Sequence, residues 1–127
     1  MPTAVQGPPV GAARPQLWRI TDRGSFLALR QRGQRARRGP LTVTWLAPSP
    51  GEPVTPPRVG FAVGKTVGGA VLRNRVRRRL RAALRQLAQE QRLPAGTYLL
   101  GGSASLASLP WSDLVDLVAA TIDEVQR

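Results

Sequence analysis

A helical repeat of apolar side chains between residues 72 and 87 is the strongest pattern in the chain. Its members recur every three or four residues and share one arc of about 120° on a helical wheel: Leu72, Val76, Leu80, Ala83, Leu84 and Leu87. Residues 111–125 show a second repeat, and Ser112 or Asp113 is expected to cap its start. The apolar members of this second repeat are Leu114, Val115, Val118, Ile122 and Val125. Both repeats predict amphipathic helices that bury one face in a core.

Shorter apolar runs predict three strands. Residues 41–47 and 58–64 alternate apolar side chains with small or polar ones, as expected of strands with one buried face, and Trp45 falls on the buried side. Residues 98–100 form a third run, which is apolar throughout, and a loop of small residues is expected after it. Between the first two runs, residues 48–57 contain five prolines, a composition that predicts a loop.

The N-terminal third of the chain predicts a tail, a helix and a turn. Residues 1–16 carry four prolines and no hydrophobic period, which predicts a disordered tail ahead of a single domain over residues 17–127. Residues 17–31 are expected to form the first helix, with Asp22 as its N-cap. A turn is expected at residues 34–39, where it would leave three arginines in solvent: Arg35, Arg37 and Arg38. No stretch has the pattern of a signal peptide or a membrane span.

The polar side of the long helix is densely basic. Six arginines lie within nine residues, and no acid occurs between Glu52 and Glu90: Arg73, Arg75, Arg77, Arg78, Arg79 and Arg81. Like charges three or four residues apart repel by roughly a few tenths of a kcal/mol per pair, so this cost favours a polyanionic partner over a merely solvated face. The net charge of +12 favours nucleic acid, with an acidic membrane surface as the alternative.

Catalysis by the protein alone is not expected. The chain has no His and no Cys, and these residues are the ones most used for acid–base and nucleophilic chemistry near neutral pH. The turn at residues 64–66 does not fit a nucleotide-binding loop, because the first glycine of that pattern would have to stand at Val59. Lys65 and the backbone N–H groups at the following helix start still favour a phosphate. The acids of the last helix have no third ligand type nearby and predict no metal site.

Residues 58–81, RVGFAVGKTVGGAVLRNRVRRRLR, join a strand, a glycine-rich turn and a basic helix start. This stretch closely resembles the signature of the bacterial ribonuclease P protein subunit, in which R-x-G-F-x-V-x-K precedes R-N-R-x-(K/R)-R. The resemblance extends more loosely over residues 17–125. It implies an α+β fold, a two-layer α/β sandwich with a four-stranded mixed sheet and three helices. The fold would be similar to the second domain of ribosomal protein S5, with a left-handed β-α-β crossover.

The resemblance also implies a function within a ribonucleoprotein endonuclease. In this family the catalytic RNA holds the active site and its magnesium ions, and the enzyme removes the 5′ leader of precursor tRNA. The expected partners are therefore the ribonuclease P catalytic RNA and precursor tRNA, in the cytoplasm, with no membrane or protein partner, no catalytic residue and no metal ligand in the protein. The alternative is a general or ribosomal RNA-binding protein with no role in cleavage.

Two sets of residues carry over from the family by matching position. The RNA-binding set consists of Lys65, Arg73, Asn74, Arg75, Arg77, Arg78 and Arg81. The leader-cleft set consists of Phe26, Arg30 and Thr44. Arg30 and Thr44 stand where relatives often have aromatic residues, and a guanidinium can also stack on a base. For Phe26, the alternative is an ordinary core aromatic.

Overall fold

The computed structural model describes residues 17–53 and 55–127. The tail predicted at residues 1–16 lies outside the described residues. In chain order, the elements are β1 (Trp18–Arg19), α1 (Arg23–Arg32), β2 (Gln34–Arg38), β3 (Leu41–Leu46), β4 (Arg58–Ala62), α2 (Ala70–Gln89), β5 (Thr97–Gly102), a 3₁₀ turn (Ala104–Ala107) and α3 (Trp111–Val125). None of the helices in these described ranges is long and apolar enough to cross a membrane.

The strands form one mixed sheet in the order β1-β4-β5-β3-β2. β4 runs parallel to β1 and β5, whereas β3 runs antiparallel to β5 and β2. The α+β class and the three helices are confirmed, but the sheet of the described residues has five strands and not four. α2 joins the neighbouring parallel strands β4 and β5, which is the β-α-β unit that the resemblance implies. Its left hand and the likeness to ribosomal protein S5 stay predictions.

The helix expected over residues 17–31 is shorter, and a strand precedes it. α1 begins at Arg23 because the Asp22 carboxylate caps it, accepting from the Ser25 backbone N–H at 2.8 Å and from the Ser25 hydroxyl at 2.9 Å. The same two hydrogen bonds lower the pKa of Asp22. Before the cap, the chain pairs with the neighbouring strand: the Trp18 N–H donates to the Pro57 carbonyl at 2.9 Å. Trp18 and Arg19 are therefore a strand and not part of the helix, since Trp18 and Ile20 donate to the carbonyls of Pro57 and Val59, far along the chain.

The turn expected at residues 34–39 is wrong, because five of these six residues form β2. They pair with β3 over the whole strand, from Gln34 opposite Trp45 to Arg38 opposite Leu41. Only Ala36 in the strand is buried, and its arginines are exposed as expected. A single small apolar residue among arginines is too weak an alternation to predict a strand from sequence.

The main core lies between one face of the sheet and the helices α2 and α3. Its fully buried side chains come from all three: Val43, Tyr98 and Leu100 from the sheet, Val76, Leu80, Leu84 and Leu87 from α2, and Leu114, Val118 and Ile122 from α3. Trp45 packs against this core and donates from its indole to the Ala95 carbonyl at 3.1 Å, as its core assignment predicts.

The first helix lies on the opposite face of the sheet. A Cβ on Gly33, the C-cap of α1, would meet the Thr44 methyl group, and Thr44 alternates with the core residue Val43. Leu29 of α1 is buried outside the main core. The expected two-layer arrangement therefore describes only the side of α2 and α3, and α1 adds a partial third layer.

The two long helices begin without side-chain caps. α2 follows Gly69, and α3 follows Pro110, so the expected capping of α3 by Ser112 or Asp113 is wrong. Asp113 still lies in the first turn of α3, where its charge complements the helix dipole.

Candidate nucleic-acid interface

One long side of α2 presents guanidinium groups to solvent next to the edge of the sheet. We call this surface the basic face. Its residues surround a shallow depression of about 490 Å³: Arg19, Val71, Asn74, Arg77, Arg78 and Arg81. Four of them belong to the predicted RNA-binding set, and Arg19 of β1 joins them from a different element. The structure therefore brings most of the predicted set together on one surface.

Arg77 is held in place by two hydrogen bonds. One terminal nitrogen donates to the Asn74 side-chain oxygen at 2.8 Å, and the other donates to the Val63 carbonyl at 3.1 Å. The second bond ties the helix to the chain just after β4. A guanidinium has five N–H donors, so donors remain for a phosphate while the side chain is already oriented.

Arg81 lies over the ring of Phe61, with its guanidinium carbon 5.3 Å from the ring centre. Burial lowers the pKa of Arg81, and the nearby charges of Arg85 and Arg19 lower it further. Arginine stays charged at neutral pH despite such a shift. Arg19 and Arg81 also line the same depression, so positive charges from two elements lie close together on this surface.

The remaining members of the predicted set have different environments. Arg75 is exposed on α2, and Lys65 is exposed in the turn before it. Arg73 is half-buried, and its Nε atom is buried without a hydrogen-bond partner among the described residues. On the helical wheel Arg73 falls inside the arc of the apolar residues from Leu72 to Leu87, which explains why its side chain is half-buried.

Arg79 is bonded to backbone, unlike its neighbour Arg78. Its guanidinium donates to the Leu106 carbonyl at 2.6 Å and also to the Leu109 carbonyl. These two carbonyls belong to the segment that connects β5 to α3. Arg79 therefore fixes this connection to α2, a role that the arginine run in the sequence does not reveal.

The three residues of the predicted leader cleft line one groove, although they come from two elements. Phe26 and Arg30 lie one turn apart on α1, and Thr44 lies on β3. The groove has a volume of about 360 Å³ and is completed by Leu29, Gly33, Arg35 and Leu99. Phe26 is 39% exposed, so it is not an ordinary core aromatic. Its ring covers Gly60, where an added Cβ would come within 3.2 Å of the ring.

Sequence reasoning missed Arg19 and Arg35 as candidate site residues. The sequence pattern predicts a helix at residue 19 and a turn at residue 35, and neither prediction places an arginine at the site. In the structure, Arg35 stands directly opposite Thr44 in the β2–β3 register, so both side chains lie on the groove side of the sheet. Had the strand β2 been recognised, its alternation would have identified Arg35.

The acidic side chains that the structure describes are spread over the surface. No group of three or more His, Cys, Asp or Glu side chains comes together within the described part of the chain. Two of the acids instead form exposed ion pairs, Glu124 with Arg38 at 2.9 Å and Glu90 with Arg92 at 3.1 Å.

Comparisons with known proteins show which family the chain is similar to. A family model described as Ribonuclease P matches residues 15–126. The ribonuclease P protein component of Thermobifida fusca is 40% identical over 114 residues, which cover 86% of this chain and 74% of that protein. Its counterpart in Brucella suis is 34% identical over 116 residues, which cover 87% of this chain and 81% of that protein.

Solved structures share the fold at lower identity. The ribonuclease P protein of Staphylococcus aureus matches with a TM-score of 0.70 at 17% identity, covering 86% of this chain and 95% of that one. The protein of Thermotoga maritima matches with a TM-score of 0.69 at 18% identity, covering 84% and 96%. The chain therefore belongs to the ribonuclease P protein family: it is a protein subunit of ribonuclease P, partners the ribonuclease P RNA and takes part in tRNA processing.

Proposed function

We propose that this subunit binds the ribonuclease P RNA through its basic face and holds the 5′ leader of precursor tRNA in the groove beside α1. The observation that carries the proposal is the convergence of Phe26, Arg30 and Thr44 on one groove. The family resemblance matches each of these residues separately by position. Their meeting in one groove is a property of the fold, because residues 26 and 44 lie on different elements. An exposed ring beside guanidinium groups is the combination that binds single-stranded RNA, because it offers both stacking and charge.

The basic face acts by electrostatics and position. Its arginines neutralise phosphates where RNA segments approach one another, which reduces their repulsion and releases counterions. The hydrogen bonds that orient Arg77 before RNA arrives limit the side-chain entropy lost on binding. Arg19 extends the charge from α2 to the edge of the sheet, so the RNA contact would span two elements.

In this proposal, the cleavage chemistry belongs to the RNA. The chain contributes no His or Cys, and its described acids do not cluster into a metal site. Magnesium ions would therefore be held mainly by the RNA, where they would supply the activated water and charge stabilisation that phosphodiester hydrolysis needs. The protein would position the leader and the RNA, and the reaction would release the leader and leave the mature tRNA 5′ end.

Reconstitution tests this proposal directly. The protein is combined with the ribonuclease P RNA of Thermobifida fusca, the organism of one of the similar proteins. Cleavage of a precursor tRNA is then followed at low magnesium. We expect cleavage at the mature 5′ end only when both components are present. Binding of the RNA without any gain in cleavage would contradict the proposed role in processing the leader.

The contribution of the groove is measured separately, as the ratio of the affinities for precursor and mature tRNA. The holoenzyme should bind the precursor more tightly, because only the precursor places a leader in the groove. Equal affinity for both RNAs would contradict leader binding while leaving the RNA contact of the basic face intact.

A further inference from the structure

The edge strand β2 places arginines on both faces of the sheet. Arg35 stands opposite Thr44 and lines the groove, while Arg38 lies on the other face and pairs with Glu124 of α3 at 2.9 Å. The two residues are odd and even positions of one strand, so their side chains point to opposite sides. The pairing of Arg35 with Thr44 therefore fixes the side chain of Arg35 on the groove side of the sheet.

The groove contains two guanidinium groups and no carboxylate. Arg30 comes from the last turn of α1, and Arg35 comes from β2. All the other residues that line the groove are uncharged: Phe26, Leu29, Gly33, Thr44 and Leu99. Both arginines are exposed, and a planar guanidinium matches two phosphate oxygens at once. The only aromatic ring in this lining is Phe26, so stacking is limited to one side of the groove.

We propose that Arg30 and Arg35 form a clamp for a phosphate of the leader, while Phe26 stacks on an adjacent base. The inference rests on the proposed binding of the leader in this groove and names how the groove would hold it. The contact at this point would be made to the RNA backbone and would not depend on the identity of the base. Leader binding would therefore tolerate sequence changes, and one phosphate contact would contribute about 0.7 to the slope of log affinity against log salt.

The test compares Arg35→Gln with Arg38→Gln in the reconstituted holoenzyme. The two variants lose the same charge from the same strand, but only the first loses it from the groove. We expect Arg35→Gln to weaken precursor tRNA binding about three- to tenfold at low salt, the loss of one net hydrogen-bonded contact, with mature tRNA binding unchanged. The slope of log affinity against log salt should fall by about 0.7, the value for one phosphate of a single strand. Arg38→Gln should match the parent protein in both measurements.

Modified leaders identify the group that Arg35 contacts. A scan of single methylphosphonate linkages removes one phosphate charge at a time, and a scan of single abasic nucleotides removes one base at a time. We expect one neutral linkage to weaken binding to the parent protein and to abolish the further loss caused by Arg35→Gln. Every abasic substitution should leave the loss from Arg35→Gln intact.

Three outcomes would overturn the clamp. Arg35→Gln could weaken precursor and mature tRNA equally, an abasic site instead of a neutral linkage could cancel its effect, or it could behave as Arg38→Gln does. Phe26→Ala separates these failures from failure of the proposed function. If Phe26→Ala selectively weakens precursor binding and Arg35→Gln does not, only the clamp fails; if neither variant affects the precursor, the groove does not bind the leader.

Discussion

Arg78 and Arg79 are adjacent in sequence, yet the structure predicts opposite consequences for their loss. Arg78 is exposed on the basic face, whereas Arg79 donates to the carbonyls of Leu106 and Leu109. Arg79→Ala should therefore destabilise the fold, and Arg78→Ala should weaken RNA binding while leaving the fold intact. Because Arg and Ala are both strong helix formers, helix propensity contributes little to either change.

The magnitude for Arg79 follows from its two hydrogen bonds. A hydrogen bond from a charged donor contributes about 1.5–3 kcal/mol, and the half-buried position allows water to replace part of the loss. We therefore expect Arg79→Ala to lower the free energy of unfolding by about 2–4 kcal/mol. For a domain of this size, one kcal/mol corresponds to roughly 4 °C, so the melting temperature should fall by about 8–16 °C. Arg78→Ala should change the unfolding free energy by less than about 0.5 kcal/mol.

Urea and thermal unfolding followed by far-UV circular dichroism measure both values. Arg79→Lys is an informative third variant, since it keeps the charge but lacks the fork that reaches two carbonyls, and it should recover less than half of the loss. RNA affinity is measured in parallel at several salt concentrations. Arg78→Ala should reduce the salt slope by about 0.9 if the contacted RNA is duplex-like, and Arg79→Ala should leave it unchanged. Equal stability of the Arg78→Ala and Arg79→Ala proteins would refute the structural role given to Arg79.

Three further changes test the interface and the core. Replacing Phe26 with Ala should weaken precursor tRNA binding by the holoenzyme about 5- to 100-fold, the range for one stacked base, with mature tRNA nearly unaffected. Replacing Arg77 and Arg81 with Ala together should lower the salt slope of RNA binding by nearly 2. Tyr98 is the one tyrosine of the chain, and burial raises its pKa far above the ordinary value, against a small opposing effect from Gln126. In a pH titration followed by absorbance at 295 nm, the phenol of the folded protein should therefore stay protonated beyond pH 10. After unfolding it should ionise near pH 10.

The sign of the Tyr98 effect sets its pH window. Because the folded pKa is raised, the folded state is not penalised below about pH 10, and stability is lost as the pH rises beyond that value. Tyr98→Phe should remove this extra loss above pH 10. A Tyr98 phenol that titrates near pH 10 in the folded protein would contradict its burial. If Phe26→Ala weakened the binding of precursor and mature tRNA equally, Phe26 would have a structural role and no contact with the leader. An unchanged salt slope in the Arg77, Arg81 double variant would exclude both residues from phosphate contact.

Local pattern was sufficient for the parts of the fold that are long and regularly periodic. The apolar arc of α2 and the bounds of α3 agree with the structure because each of these helices repeats its signal over several turns. Asp22 was identifiable as a cap because its carboxylate acts within three residues of its own position. The joined strand, glycine turn and basic helix start likewise identified the family, since the whole signature lies in one continuous stretch.

Short elements depended on partners that the sequence does not place. β1 has only two residues and exists because it pairs with β4, where Trp18 lies opposite Arg58, forty positions further along the chain. β2 exists because β3 lies beside it and α3 packs against it, with Ala36 in the core. Local pattern predicts a helix at residues 17–21 and a turn at residues 34–39. Both predictions are wrong, because hydrogen bonds to distant strands outweigh local preference in short segments.

The sequence by itself determined the class of partner and the family, since a charge of +12 and a contiguous signature need no fold to be recognised. Only the tertiary structure decided what each arginine does. It placed Arg19 beside Arg81, placed Arg35 in the groove with Phe26, and bonded Arg79 to backbone carbonyls. The reason is physical: a guanidinium reaches several ångströms and binds whatever acceptor the packed chain brings near it, so its role is a property of the surrounding fold.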